Sequence, residues 1–366
     1  MPDPRITKLA KVLVNYSLKI QPGEQLLIQT SPLADELTMA VYEEAVKAGA
    51  HVMTMNRVPG LREIFFKHAS EEQLAYVFPI QKEMLETFDA FLSIWADSNT
   101  RALSGIDPQR LAQAGRANAE ISKIIMQRSA TGDLKWCLTV YPTNAMAQDA
   151  DMSLADYQEF VYGAGMLNED NPTAFWEEEA ERQRKLINWM DGRKEIVIKG
   201  SNIDITMSVE GRTFIESAGT HNFPSGEVYA SPVEDSVNGW VRFKYPAIHA
   251  GQEIHDIQLW FENGKVVKEQ AEKNQELLTA LLNTDEGARF LGELGIGTNY
   301  GIQRFTKNML FDEKIGGTIH LAVGRGFPEG GGKNESGLHW DMLCDMADGE
   351  IRVDGDLFYK DGKTVI

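Results

Sequence analysis

Five residues in the second half of this 366-residue chain pair ligand chemistry with unusual surroundings. Glu227 follows Pro224-Ser225-Gly226 in HNFPSGEVYASP, and Glu293 lies in GELGIGTN. His320 sits in TIHLAVGRG, and His339 and Asp341 sit in ESGLHWDM. Hard and borderline divalent metals take carboxylate oxygen and neutral imidazole nitrogen. Three carboxylates and two imidazoles are too many for one tetrahedral ion. They suit two divalent ions (Zn, Co, Mn or Mg) a few ångströms apart, sharing a bridging carboxylate and a water.

This chemistry dictates backbone. Positions i and i+2 share a face on a strand but diverge by about 200° on a helix, so His339 and Asp341 can act together only on extended chain. The β-branched, apolar run around His320 implies a buried strand. Glu293 stands among Gly292, Leu294, Gly295 and Ile296, where a carboxylate needs a positive partner and glycine lets backbone approach an ion. Rival chemistries fail on spacing. There is no H-E-x-x-H and no G-x-S-x-G elbow. The first strand is followed by QTSPLADE, not G-x-G-x-x-G, and GGGKNES has Phe327 and Asn334 where a phosphate loop needs Gly and Ser or Thr. His51 and His68 are isolated and read as structural.

The elements that must carry these residues come in two textures. Before residue 193, strands Gln25 to Gln29, His51 to Asn56, Ala90 to Trp95 and Trp136 to Tyr141 alternate with amphipathic helices. Those helices are Ile6 to Ile20, Ala34 to Ala48, further segments in the sixties to eighties, and Pro108 to Gln127. That alternation predicts a doubly wound α/β domain with parallel strands. Tyr157 to Met190 reads as a charged connecting helix supported by pairs four apart, such as Glu178 with Arg182. After Glu195, EIVIKG and IDITMSVE, and hairpins at Asn263-Gly264 and Asp361-Gly362, predict a β-rich, barrel-like domain interrupted by one helix over Lys268 to Asn283. The expected domains are 1–193 and 194–366, and all five candidate ligands belong to the second.

A net charge of −18 argues against nucleic acid and disfavours anionic membranes as partners. Neither an apolar leader nor about 18 uninterrupted apolar residues is present, so a cytoplasmic protein is expected. Cys137 and Cys344 imply no disulfide framework. Cys137 reads as a core thiol, and Cys344 as an inert buried thiol or an outer partner of the metal residues.

The segments FPSGEVYASP, GELGIGTN, FDEKIGGTIHLAVG and GGKNESGLHWDM resemble the hallmark segments of the M29, thermophilic-type metallo-aminopeptidases. NYSLKIQPGEQLLIQT and LTVYPTNAMAQDADMS extend that resemblance from end to end. It implies a dimeric, two-metal exopeptidase that takes peptides with a free N-terminus. It also implies Glu227, Glu293, His320, His339 and Asp341 as the metal ligands. Glu293 is the first expectation for the general base and Glu313 the second. One position departs from the family pattern: Phe327 stands seven residues after His320, where many members carry a tyrosine thought to assist catalysis. Arg325, Lys333 and Tyr300 are the nearby polar candidates to replace it. The competing readings are a two-metal hydrolase of another amide and a small-molecule binding module with a structural metal.

Overall fold

The computed structural model describes residues 3–249 and 251–366. Two compact units emerge: residues up to Thr173 together with Gly219–Phe223, and Ala174–Ala218 together with Pro224–Ile366.

The first unit is built on a parallel sheet. Its strand order is His51–Asn56, Gln25–Thr30, Ala90–Trp95, Lys135–Val140 and Asn222–Phe223. The central strands are rich in Leu, Ile and Val, as burial on both faces demands. The fifth strand is the excursion of residues 219–223, too short for any sequence pattern to mark. The N-terminal helix is regular only over Pro4–Lys11 and widens to a π-helical turn at Val12–Ser17. The expected helix over 108–127 is two helices, Pro108–Ala117 and Ala119–Ala130, broken at Asn118, whose side chain donates back to the Ala114 carbonyl.

The charged helix is also two: Leu154–Ala164 and Pro172–Met190. Met166 takes a left-handed conformation between them, and Pro172 starts the second. From Ala174 onward this second helix belongs with the β-rich unit, not with residues 1–193 as its charge pattern suggested. The reason is packing: Leu186 and Met190 enter the core of that unit. Gln183 donates to the Ser217 carbonyl and accepts from the Ser217 amide.

The second unit holds two larger antiparallel sheets. One runs Lys265–Gln270, Ile257–Glu262, Asn238–Phe243, Ile203–Ser208, Glu195–Gly200, Glu350–Val353, Asp356–Lys360 and Lys363–Thr364. Among the described residues its order is open at both ends rather than closed into a barrel. The expected helix over 268–283 is shorter, Gln275–Leu282, because residues up to Gln270 complete a hairpin with Ile257–Glu262. The other sheet has five strands, in the order His339–Asp345, Thr318–Gly324, Leu291–Gly297, Glu227–Ala230 and Ile215–Ser217. Strand period two divides this sheet cleanly. Leu294, Ile296, Ile319, Leu321, Val323, Trp340, Met342 and Cys344 enter the core with Ile198, Ile205, Val241 and Leu259 of the larger sheet. The alternate residues carry the candidate ligands.

Candidate metal centre

The register of the five-stranded sheet brings the five donors together. Gly297 is paired with Glu227, Gly295 with His320, and Ala322 with both Glu293 and Asp341, while His339 faces Gly324. Small residues therefore stand opposite the large functional ones. A methyl group added at Gly295 would lie 1.9 Å from Nε2 of His320, so the imidazole occupies the space a side chain would take. Gly226, at φ 125°, turns the chain into Glu227 in a conformation that favours glycine.

Two ligand groups result, and they share one carboxylate. Glu227, Glu293 and His320 each offer an atom within 4.8 Å of the others, and so do Glu293, His339 and Asp341. Glu293 Oε1 is 3.3 Å from His320 Nε2, and its Oε2 is 3.1 Å from His339 Nε2. Glu227 Oε2 lies 3.4 Å from His320 Nε2, and Asp341 Oδ2 lies 3.6 Å from His339 Nε2. The first group is sealed: Glu227, Glu293 and His320 are 5%, 4% and 1% exposed. The second is more open, with the side chains of His339 and Asp341 at 21% and 14%.

Both imidazoles are oriented from behind. His320 Nδ1 is 3.0 Å from the Glu313 carbonyl and His339 Nδ1 is 2.8 Å from the Arg325 carbonyl. A carbonyl only accepts, so each Nδ1 carries the proton and each Nε2 is directed at the carboxylates.

Lys314 completes the site, and sequence reasoning missed it. It is wholly buried, 3.1 Å from Glu227 Oε1 and paired also with Glu313. In FDEKIGG it reads as one more charge in a turn. Only the spatial neighbourhood of Glu227, 87 positions upstream by number, reveals its partner.

Four carboxylates thus stand against one ammonium. Burial pushes the Glu227 carboxyl up to about 7 and the Asp341 carboxyl up to about 6. Burial opposes charge on Glu293 as well, but hydrogen bonds and charge from His320 and His339 overcome it and hold that carboxyl down at about 2. Burial likewise disfavours the imidazolium of His320, and the facing carboxylates outweigh it, raising that group to about 10. The cluster is short of positive charge. Its donor set fits divalent cations: Glu227 Oε2 and Asp341 Oδ1 are buried without a hydrogen-bond partner, and both Nε2 atoms face carboxylate oxygens. That chemistry is nitrogen and oxygen donation to hard or borderline ions.

The remaining candidates fall elsewhere. Tyr300 donates its hydroxyl to the Gly362 carbonyl at 3.0 Å. Arg325 and Lys333 have exposed side chains. Cys344 lies on the core face of its strand, where Asn202 Nδ2 donates to its sulfur at 3.2 Å, and burial pushes its thiol up to about 12. It is an inert thiol. His51 and His68 lie exposed in the first unit. Phe327 packs edge-on against the rings of Tyr229 and His339, with centroids 5.1 and 5.0 Å away.

Residues 2–365 match the family model described as thermophilic metalloprotease (M29). The chain is 30% identical over 410 aligned residues to aminopeptidase 2 of Geobacillus stearothermophilus, covering 99% of this chain and 95% of that protein. It is 26% identical to aminopeptidase T of Thermus thermophilus, covering 98% and 95%. The solved structure of wild-type AmpT from Thermus thermophilus matches with a TM-score of 0.87 at 24% identity, over 99% of each chain. The mixed architecture, with one parallel sheet and large antiparallel sheets, is the fold of that structure. With a match across essentially its whole length, the chain belongs to the M29 family of thermophilic metalloproteases and is a peptide hydrolase.

Proposed function

We propose that the protein is a metallo-aminopeptidase that releases N-terminal residues from peptides, with Glu227, Glu293, His320, His339 and Asp341 holding two divalent ions. The observation that carries this reading is the pair of three-residue groups sharing Glu293, whose two oxygens face different histidines. When bound, such ions lower the pKa of water toward neutrality and polarise a scissile carbonyl. The protein's own residues supply the rest. Glu313 and Arg325 fix the two imidazoles through their carbonyl oxygens, and Lys314 anchors Glu227. The more open edge, at His339 and Asp341, is where a substrate enters.

Glu293 serves this scheme as the shared ligand rather than as the base. Both of its oxygens are engaged, and a carboxyl held at about 2 is a weak proton acceptor near neutrality. Glu313 is the better base. It is half-buried and positioned by Lys314 through Oε1, which leaves Oε2 to accept a proton. A substrate's unprotonated N-terminal amine would be a further nitrogen donor to such ions, which an acylated nitrogen is not, and that is the physical basis for cleavage at the N-terminus.

Aminoacyl p-nitroanilides test the reading. Those with a free amine should be hydrolysed and their N-acetyl counterparts should not. Chelation should abolish turnover while the circular dichroism spectrum persists. Equal cleavage of blocked and free substrates would indicate a general amidase, and undiminished activity after chelation would remove the metal from the chemistry. A cytoplasmic homodimer belongs to the same reading. Met39, Tyr42, Val46, Leu61, Ile64 and Phe65 of the first unit expose apolar surface suited to a second copy. Sedimentation equilibrium returning a monomer would reject that part.

A further inference from the structure

Hydrolysis of an amide develops negative charge on the carbonyl oxygen, and a site gains from a donor aimed at that charge. The residues that form the centre are poor in free donors. Glu227, Glu293 and Asp341 are acceptors when ionised, and the Nδ1 protons of both histidines go to backbone carbonyls. The Lys314 ammonium lies between Glu227 and Glu313 with no exposed surface. The Tyr300 hydroxyl is committed to Gly362.

Tyr229 is different. It lies two residues after Glu227 on the same strand, so both side chains leave the same face. Its cross-strand partner is Gly295, which has no side chain and which pairs on its other side with His320. Tyr229 therefore projects from the same face as the ligand groups, one strand away from His320, whose ring fills the space over Gly295. Its ring meets the edge of Phe327, whose ring in turn meets His339. The residue is only partly buried. Its hydroxyl has no hydrogen-bond partner among the described residues, and it is not one of the buried atoms left without one, so some of its surface reaches solvent.

We infer that the Tyr229 hydroxyl is the donor that binds the developing oxyanion of the substrate, a catalytic residue of this protein alongside the metal ligands. The inference rests on the aminopeptidase reading and adds the group that makes its transition state bind more tightly than its ground state. The phenol donates a hydrogen bond and keeps its proton throughout, so the step needs no further reactant. Phe327, in ring contact with Tyr229, shapes the wall beside it and holds no donor itself.

The test is Tyr229→Phe, which removes one oxygen and keeps the ring contact with Phe327. Loss of a single oxyanion donor lowers kcat by about 10²–10³ with little change in KM, since the bond forms mainly in the transition state. Metal content and thermal midpoint should stay at wild-type values. A second readout is independent of turnover. Calorimetry with a phosphinate dipeptide, a tetrahedral mimic of the reacting carbonyl, should show weakening of about 10²-fold, whereas the amino-acid product binds unchanged. Adding Phe327→Tyr to Tyr229→Phe returns a hydroxyl across the same ring contact and should recover at least about tenfold of the lost kcat. Phe327→Tyr alone should gain little, because the role is filled. Wild-type kcat and unchanged phosphinate affinity in Tyr229→Phe overturn the inference while the aminopeptidase reading stands. A fall in metal content that accounts for the lost activity assigns Tyr229 a structural role and overturns it too. Failure of the unaltered, metal-loaded protein to cleave any free-amine substrate defeats both together.

Discussion

Gly295→Ala is the sharpest test of how the sheet builds the centre, because it alters no ligand and no charge. Gly295 is paired with Tyr229 on one side and His320 on the other. A methyl group placed there lies 1.9 Å from both Cε1 and Nε2 of His320 and 2.7 Å from its Cδ2. Ordinary contact between such atoms is about 3.5–4 Å, so the ring must retreat by roughly 1.5 Å. It has little freedom to do so. It is 1% exposed and its Nδ1 is tied to the Glu313 carbonyl. The retreat pulls Nε2 away from Glu227 and Glu293 together and splits the first ligand group. Misplacement of about 1 Å costs on the order of 10²-fold in rate, and overpacking of this kind costs about 1–3 kcal/mol of stability. Plasma emission analysis of bound metal, kcat on an aminoacyl p-nitroanilide and a thermal melt report the three effects. Gly163→Ala is the control, since a methyl there meets nothing within 4 Å in the Leu154–Ala164 helix. Gly295→Ala with full metal and kcat within about threefold of wild type would refute the reasoning, because a shift of that size leaves no room for an intact site.

Three further outcomes follow from the same structure. Lys314→Met leaves Glu227 and Glu313 without their buried counter-charge and should destabilise the metal-free protein by about 3–5 kcal/mol in chemical denaturation; a loss below about 1 kcal/mol would mean that the carboxylates do not rely on this cation. Glu227→Gln, Glu293→Gln, His320→Ala, His339→Ala and Asp341→Asn should each lower metal content and turnover in a folded protein, Glu293→Gln most of all because both groups contain it; full occupancy across the five rejects the ligand assignment. Arg289 donates to Glu269 from both terminal nitrogens, at 3.0 and 3.2 Å, and holds its carboxyl below the ordinary 4.5. A depressed acid contributes stability above its unfolded value and loses it as pH falls through the folded one. Glu269→Gln should therefore weaken the protein at pH 6 and differ progressively less from wild type below pH 4.5; a constant deficit down to strong acid would point to packing instead of charge.

The grouping of the five candidate donors was legible in the sequence because strand geometry is local. Once residues 339 to 345 are extended, His339 and Asp341 share a face whatever lies around them, and Gly295 beside Glu293 signals a close approach before its partner is known. Long helices and short strands were less legible, for a reason that is also physical. Helix signals say where periodicity exists and say little about single residues that end it, such as Asn118 or left-handed Met166. Two residues at Asn222–Phe223 become a strand only because Leu138 and Thr139 offer an edge to pair with. Lys314 was invisible for the opposite reason. A lysine beside an acid in a turn is usually solvated, and it is buried here because two carboxylates compensate it, one of them adjacent and one reached across the fold. That pairing helps explain how a sheet this apolar on one face can hold three carboxylates on the other, with Glu313 beside them. The fixed ammonium neutralises one end of the cluster, at Glu227 and Glu313. The negative charge left over is concentrated where Glu293 meets His339 and Asp341, on the more exposed side, where one of the proposed ions would offset it.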